Sequence, residues 1–481
     1  MGLRVLVCAS EVVPFAKTGG LADVAGALPK ALAALGHDVR VALPKYAVID
    51  STKFGANPLG APFRVPMGAN MQVGVEVSEA IPGVKTYLID SPEHFDRKAL
   101  YGEPDDAERF ALFSRAVLEL LRKSDWRPEV IHANDWQAGL IPVYLKSSYK
   151  SDPELSPIAT LYTIHNLAYQ GAFGPETLTK VGLDRSLFTM DGLEFFGQVN
   201  FMKGGLIYAD LLSTVSQAYS REIQTAEFGE RLEGVLAGRS QDLFGVLNGI
   251  DYDEWDPATD QLLPARFSAD DLRGKAANKA ALQKKLGLPD RPEVPVFGLV
   301  SRLAGQKGLD ILSEALPHLL QLDVQFALLG TGEHQYHDLL SAVAKKHPTK
   351  LGLVLGFDNL LAHQIYAGSD FFLMPSRYEP CGLGQMISLH YGTIPIVRQT
   401  GGLADTITDY NSQTGRGNGF SFREHTAVAL FGAIARALLT MKVQPAWQRL
   451  VQNAMSSDFS WGRSAKSYAE LYQRAIERHR S

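Results

Sequence analysis

Cysteine is nearly absent from this chain: Cys8 and Cys381 are the only two in 481 residues, far apart and in unlike contexts. No disulfide framework can be built from them, and a reducing cytoplasm is the expected setting. Positive charge is not in excess either. With 47 Lys and Arg against 52 Asp and Glu the formal net charge is -5, and no dense basic block occurs. That argues against a general nucleic-acid surface. Apolar runs stay short; none approaches the ~20 residues that span a bilayer, so no membrane association is expected. The stretch Met1-Gly2-Leu3-Arg4-Val5-Leu6-Val7 is apolar but breaks at Glu11 and Lys17. It lacks the shape of a signal peptide, and Leu6 spoils a myristoylation motif. Short repeats and low-complexity tracts are also missing, which excludes solenoids and disordered arrays. What remains, 46% hydrophobic and 21% charged, is the composition of a soluble globular protein. It is too long for one ordinary core, so two or three domains are expected.

Short β-rich runs alternate with helical patterns along the chain. Val5-Leu6-Val7-Cys8-Ala9 reads as a buried strand, and Leu21, Val24, Ala25, Leu28, Leu32 and Leu35 follow at helical spacing with Gly36 as a C-cap. Pro29 inside that run predicts a kink or a short first piece. Val39–Leu43 closes a βαβ unit. Further strands are expected at Val130–Ala133, Ala159–Ile164 and Leu211–Val215. A second series begins near Gly245, with strands at Val296–Val300, Val324–Leu329, Gly352–Leu355, Phe371–Met374 and Ile394–Val397. The polar segment from Asp260 to Lys284 reads as a hinge-side insertion or a surface helix pair. The fold class is α/β, two Rossmann-like doubly wound domains facing each other across a cleft. Ligands in such sheets bind at the carboxyl ends of the strands.

Polar residues gather at those strand ends. Met374-Pro375-Ser376-Arg377-Tyr378-Glu379-Pro380-Cys381-Gly382-Leu383-Gly384 joins a strand to a helix and carries a carboxylate, Glu379, on a loop stiffened by Pro380. A strand-loop-helix unit with a glycine offers backbone N–H groups to an anion, although Glu379 could also be a simple helix cap. Lys17-Thr18-Gly19-Gly20-Leu21-Ala22-Asp23 and Thr400-Gly401-Gly402-Leu403-Ala404-Asp405 are two Gly-Gly turns before helices; alone, each is also what any tight turn shows. Arg302 and Lys307 lie on one loop after a strand, which suits a diphosphate better than a surface salt bridge. Asp135 and Trp136 could bond and stack on a sugar, or cap a helix. His165, beside Asn166, is by itself as readily structural as catalytic. Asp251-Tyr252-Asp253 resembles a metal-binding D-x-D, but Asn248-Gly249 before it and Trp255 after it read as a turn and helix start.

With those motifs in hand, the chain resembles the bacterial glycogen synthase and plant starch synthase family, glycosyltransferase family 5, which has the GT-B fold. The likeness spans Lys17–Val24, Asp135–Gln137, Thr163–Asn166, Thr214–Ser216, Asn248–Asp251, Gln306–Gly308, Glu379–Leu383, Thr400–Leu403 and Phe459–Trp461. It implies retaining transfer of glucose from ADP-glucose to the non-reducing end of an α-1,4-glucan, with ADP-glucose and the glucan as partners. It implies an N-terminal domain over residues 1–245, a nucleotide-sugar domain over 246–458, and a final helix over 459–481 that crosses back onto the first. By resemblance Lys17, Gly19, Gly20, Arg302 and Lys307 meet the donor diphosphate, and Asn248 lines the cleft. Glu379, Cys381, Gly382 and Leu383 meet the glucose and phosphates, with Thr400, Gly401 and Gly402 completing that wall. His165 and Asp135 approach the transferred sugar; Trp136 and Asn166 contact sugar. No metal and no cofactor is expected. Asn134, Gly305 and Gly384 depart from the residues common in bacterial members. A same-fold enzyme with another donor, and a silent glucan-binding relative, are the rival readings.

Overall fold

Val5, Leu6, Val7 and Cys8 present no polar position, the pattern of a strand covered on both faces. In the computed structural model, which describes residues 2–68 and 70–481, they form β1 (Arg4–Cys8), each at most 1% exposed. The strands that follow are β2 (Asp38–Pro44), β3 (Asn57–Pro58), β4 (Phe63–Pro66), β5 (Asn70–Ile81), β6 (Val84–Asp90), β7 (Val130–Asn134) and β8 (Ala159–Ile164). A small antiparallel sheet of β9 (Ala172–Phe173), β10 (Glu194–Phe195) and β11 (Gln198–Asn200) intervenes before β12 (Leu211–Thr214) and β13 (Leu243–Gly245). The main sheet has the order β13-β12-β8-β7-β1-β2-β6-β5-β3, with β4 beside β5. It is parallel from β13 to β6. Chain order runs one way from β1 through β2 and the other way through β7, so the switch point lies between β1 and β7.

The chain divides into two compact units. The first runs up to Gly249 and includes Trp461–Ser481; the second is Ile250–Ser460. In the second, β14 (Val296–Val300), β15 (Gln325–Gly330), β16 (Leu351–Leu355), β17 (Phe371–Met374), β18 (Ile394–Arg398) and β19 (Phe420–Phe422) are all parallel, in the order β16-β15-β14-β17-β18-β19. Renumbered from β14 this is 3-2-1-4-5-6, the dinucleotide-binding order, with its switch point between β14 and β17.

The final helix, Trp461–Arg480, is part of the first unit's core. Tyr468, Leu471, Tyr472, Ala475 and Ile476 are each at most 6% exposed and belong to the same apolar cluster as β1, β7 and β8. A Leu- or Ile-sized side chain buried this way stabilises by ~1.5–3 kcal/mol. A polar link joins the packing: His132 on β7 bonds Tyr472 Oη at 2.9 Å and Thr163 Oγ1 at 2.6 Å. Near the last turn, His479 reaches Asp210 (3.1 Å) and the Ser156 carbonyl (2.8 Å).

The structure differs from or adds to the sequence reading at three places. The helix Gly20–Ala34 continues through the buried Pro29 and does not stop at a short first piece. The segment from Asp260 to Lys284 holds one helix, Arg273–Lys285, and is pinned into its own unit: Lys279 pairs with Asp370 at 2.7 Å, and Lys275 donates to Ala367 O, Tyr391 O and Thr393 Oγ1. The strands β3 to β6, with β5 antiparallel to β3, β4 and β6, were not anticipated. Among the described residues no single helix is long and apolar enough to cross a membrane.

Candidate active site

In the first unit the polar loops all leave the carboxyl ends of parallel strands. After β1 the chain passes Glu11 before reaching Lys17-Thr18-Gly19-Gly20. Glu11 is 5% exposed, and its Oε2 accepts from the Thr18 N–H, from Thr18 Oγ1 (3.0 Å) and from the Gly19 N–H (2.9 Å), while Tyr101 donates to Oε1 (3.1 Å). The turn is therefore pre-shaped around an internal carboxylate. Gly20, the first residue of the following helix, keeps an N–H without an intrahelical acceptor. Lys17 pairs with Asp23 at 2.6 Å in a half-exposed bridge. Burial pushes the Asp23 carboxyl up, and Lys17 offsets part of that shift.

Beyond β7, Asp135 has φ 53° and ψ -177°, a region natural to glycine alone, which costs of order 1–3 kcal/mol. Its Oδ1 accepts the His165 N–H at 2.7 Å, which ties the β7 loop to the β8 loop. Burial raises the Asp135 pKa to about 7, against the pull of backbone N–H groups from His165 and Asn166. His165 is driven the other way, to about 3, by burial, so its imidazole is neutral. Its Nε2 lies 2.9 Å from Asn134 Oδ1. Asn166 bonds the Ala168 N–H (3.1 Å) and turns its own loop.

Trp136 requires a correction. It is 8% exposed and packed edge-on against Phe110 (5.0 Å) and beside Phe173 (5.6 Å). A Cβ on Gly171 would stand 2.3 Å from its ring. With Phe110, Phe173 and Gly171 against it, the ring leaves little surface for a sugar to stack on; it braces the loop that carries Asp135. After β13, Asn248 is 6% exposed, and its buried Oδ1 has no hydrogen-bond partner among the described residues. Such an orphaned acceptor is costly unless a ligand supplies the donor.

The second unit builds its own array. Lys307 Nζ donates to Glu379 Oε2 at 2.6 Å, and Ser376 Oγ to the same oxygen at 3.0 Å. Glu379 is 5% exposed, so a fixed carboxylate is held beside a cation. Arg302 bonds Gln306 Oε1 at 2.8 Å on the same loop. Gly308, at φ 75°, lets that loop touch Pro375, where a Cβ would lie 2.0 Å from the carbonyl. Gly401 and Gly402 press on the Glu379 loop: their Cβ atoms would fall 2.0 and 2.1 Å from Glu379 O and Cys381 O, and the Gly402 N–H bonds Glu379 O at 3.1 Å. The Gly-Gly pair thus seats the carboxylate loop. Thr400 is 1% exposed just before the short helix Gly401–Thr406, and Leu383 just before Gly384–His390. Gly382 is at φ 74° and Cys381 is buried.

Two residues escaped the sequence reading. Glu11 carries no periodic signal, and only the folded turn shows its task. Phe357, just past β16, is 86% exposed at a strand end; an aromatic following strand and glycine was the available cue. Asp251 Oδ1 accepts the Asp253 N–H at 3.0 Å, a turn built on the D-x-D. Among the described residues no group of three His, Cys, Asp or Glu side chains is arranged to hold a metal ion.

Two doubly wound sheets, each gathering cations, carboxylates and glycine turns at its strand ends, are the architecture of a GT-B glycosyltransferase. Residues 4–238 match the family described as the starch synthase catalytic domain, and 278–455 match glycosyl transferases group 1. The chain is 50% identical to a glycogen synthase of Desulforudis audaxviator, covering 99% of this chain and 97% of that one. It is also 50% identical to one of Moorella thermoacetica, covering 100% and 98%. The catalytic domain of starch synthase IV from Arabidopsis thaliana, solved with ADP and acarbose, superposes with a TM-score of 0.93 at 38% identity, covering 99% and 100%. The chain belongs to the glycogen synthase and starch synthase family of glucosyltransferases.

Proposed function

We propose that this chain moves the glucosyl group of ADP-glucose to the non-reducing end of an α-1,4-glucan, with the anomeric configuration kept, as a step of glycogen synthesis. The full-length match to glycogen synthases carries this reading. The related starch synthase bound to ADP and acarbose supports an adenine nucleotide and a glucan as the two ligands. Two cysteines in 481 residues, too few for a disulfide framework, suit the cytoplasm.

In the reaction the bond from the anomeric carbon to the diphosphate oxygen breaks. A bond to the acceptor hydroxyl oxygen forms on the same face, and the hydroxyl proton passes to the departing diphosphate. Negative charge grows on the diphosphate and positive charge on the sugar ring. Arg302, Lys307, Lys17 and the Gly19–Gly20 turn are the cations and backbone donors offered to the diphosphate. Preset donors and cations of this kind lower the barrier because they need no reorganisation. Side-chain cations supply the countercharge, so neither metal nor cofactor enters the scheme. Glu379 stands against the ring's developing positive charge, and the hydrogen bond from Lys307 keeps it aimed. His165, Asp135, Asn166 and Asn248 offer polar contacts to the sugar hydroxyls. Phe357 is the platform for the base: β16 and β14 are two strand spacings apart, about 10 Å, which a ribose bridges between base and diphosphate.

The test is transfer of label from ADP-glucose or UDP-glucose into glycogen. Label should enter the polymer in α-1,4 linkage with ADP-glucose strongly preferred. Equal kcat/KM for the two donors would remove the adenine assignment, and no incorporation from either would remove the activity.

A further inference from the structure

Asn134 closes β7 at the switch point of the first sheet and is 1% exposed. Its Nδ2 faces two backbone carbonyls, Cys8 O at 3.1 Å and His132 O at 3.2 Å. Carbonyls only accept, so the amide nitrogen must point toward them; a flipped amide would set oxygen against two oxygens. The atom 2.9 Å from His165 Nε2 is therefore the amide oxygen, Oδ1. An amide oxygen only accepts, so the proton of that contact sits on Nε2. Because the imidazole is neutral, it carries one N–H, and Nδ1 holds a bare lone pair. Nδ1 takes no hydrogen bond among the described residues, while the His165 backbone N–H is fixed by Asp135.

We propose that Asn134 is a positioning residue that locks His165 in the Nε2–H tautomer, so that Nδ1 stands as an acceptor for a hydroxyl of the transferred sugar. The assignment of that hydroxyl to the sugar rests on the function proposed above; the tautomer lock does not. The chain of constraint starts at a backbone carbonyl of β1, passes through one amide, and ends at a ring nitrogen on the loop after β8. A group in this state takes a hydrogen bond from an O–H and gives none to a fluorine or carboxylate.

Histidine-selective ¹⁵N NMR of the intact protein at pH 7 reads the lock directly, with the His165 signals assigned by their loss in His165→Gln. The expected wild-type pattern is a protonated Nε2 and an unprotonated Nδ1. A protonated Nδ1, alone or with Nε2, overturns the proposal whatever the enzyme does. Asn134→Leu keeps the volume and removes the acceptor, so the His165 signals should shift toward the other tautomer. Transfer turnover should fall about 10–100-fold, the usual size for a lost orienting partner, with donor KM little changed. Asn134→His should restore both, because one ring nitrogen can accept from Nε2–H while the other donates to Cys8 O. An unchanged tautomer and turnover in Asn134→Leu refutes the lock. If the wild type transfers no glucose yet shows the Nε2–H pattern, the lock stands and the functional reading falls.

Discussion

Tyr472→Phe tests how the last helix is held in the first unit. The change removes one oxygen and keeps the ring that packs 5.7 Å from His132, so it isolates the hydrogen bond from the apolar contact. His132 is 1% exposed and neutral, its pKa driven down to about 3 by burial. Its two nitrogens are served by Tyr472 Oη and Thr163 Oγ1, and water cannot replace the first of these. Leaving a buried imidazole nitrogen unpaired costs about 1–3 kcal/mol. For a unit of this size each kcal/mol lowers the melting temperature by roughly 2–4 °C, so a drop of about 2–12 °C is expected. Tyr472→Ala also removes the ring and should cost about 3–5 kcal/mol. Hydrogen exchange localises the loss: amides of β7, β8 and Trp461–Arg480 should exchange faster, with β14 to β19 unchanged. Loosening confined to Ile250–Ser460, or a neutral Tyr472→Ala, would refute this account of the helix.

Arg302→Ala and Lys307→Ala should each reduce turnover by roughly 10²–10³, with activity indifferent to EDTA; loss in EDTA restored by Mg²⁺ or Mn²⁺ would return attention to Asp251-Tyr252-Asp253. Glu379→Gln should lower turnover far more than melting temperature, whereas an early-unfolding variant with normal transfer per folded molecule would make Glu379 structural. Phe357→Ala should raise the donor KM and leave stability unmoved, since the ring is 86% exposed; an unchanged KM for ADP-glucose denies it the base. Asp210 sets an acid limit: burial opposes its charge, but hydrogen bonds from His479, Lys146 and Thr160 outweigh this and hold its pKa at about 2. A depressed carboxyl stabilises above its unfolded pKa and loses that as pH falls, here between about pH 4 and 2, by ~2 kcal/mol. Asp210→Asn should flatten stability across that window, and an acid slope like the wild type's in that variant would exclude the mechanism.

Most parallel strands were legible because burial on both faces leaves uninterrupted apolar runs, as in Val5–Cys8 and Phe371–Met374, whereas the parallel β6, β13 and β19 were missed. The long strand β5 was missed although Val73, Val75 and Val77 alternate with Gln72, Gly74 and Glu76; strands such as β3, of two residues, are below any periodic signal. The loops singled out do leave the carboxyl ends of strands, since glycine pairs and charges there stand out against apolar flanks. What the residues on them touch was not legible. Lys307 and Glu379 were read for separate tasks, yet they face each other at 2.6 Å. Trp136 looked like a stacking ring because a sequence does not say which way an indole turns. Asn134 stood out only as a departure, although its amide bridges carbonyls of β1 and β7.

The return of Trp461–Ser481 to the first unit also orders the protein's synthesis. Ile250–Ser460 is continuous, so the ribosome delivers everything that unit needs before the final helix exists. The first unit, begun earliest, waits longest. Until residue 461 onward emerges, the apolar surface that Tyr468, Leu471, Tyr472 and Ile476 will cover stays open to water and to other nascent chains. A stalled or clipped product lacking those last residues would hold a finished second unit and an unsealed first one. Loss of Trp461–Ser481 should therefore send a product that is otherwise intact to aggregation or proteolysis.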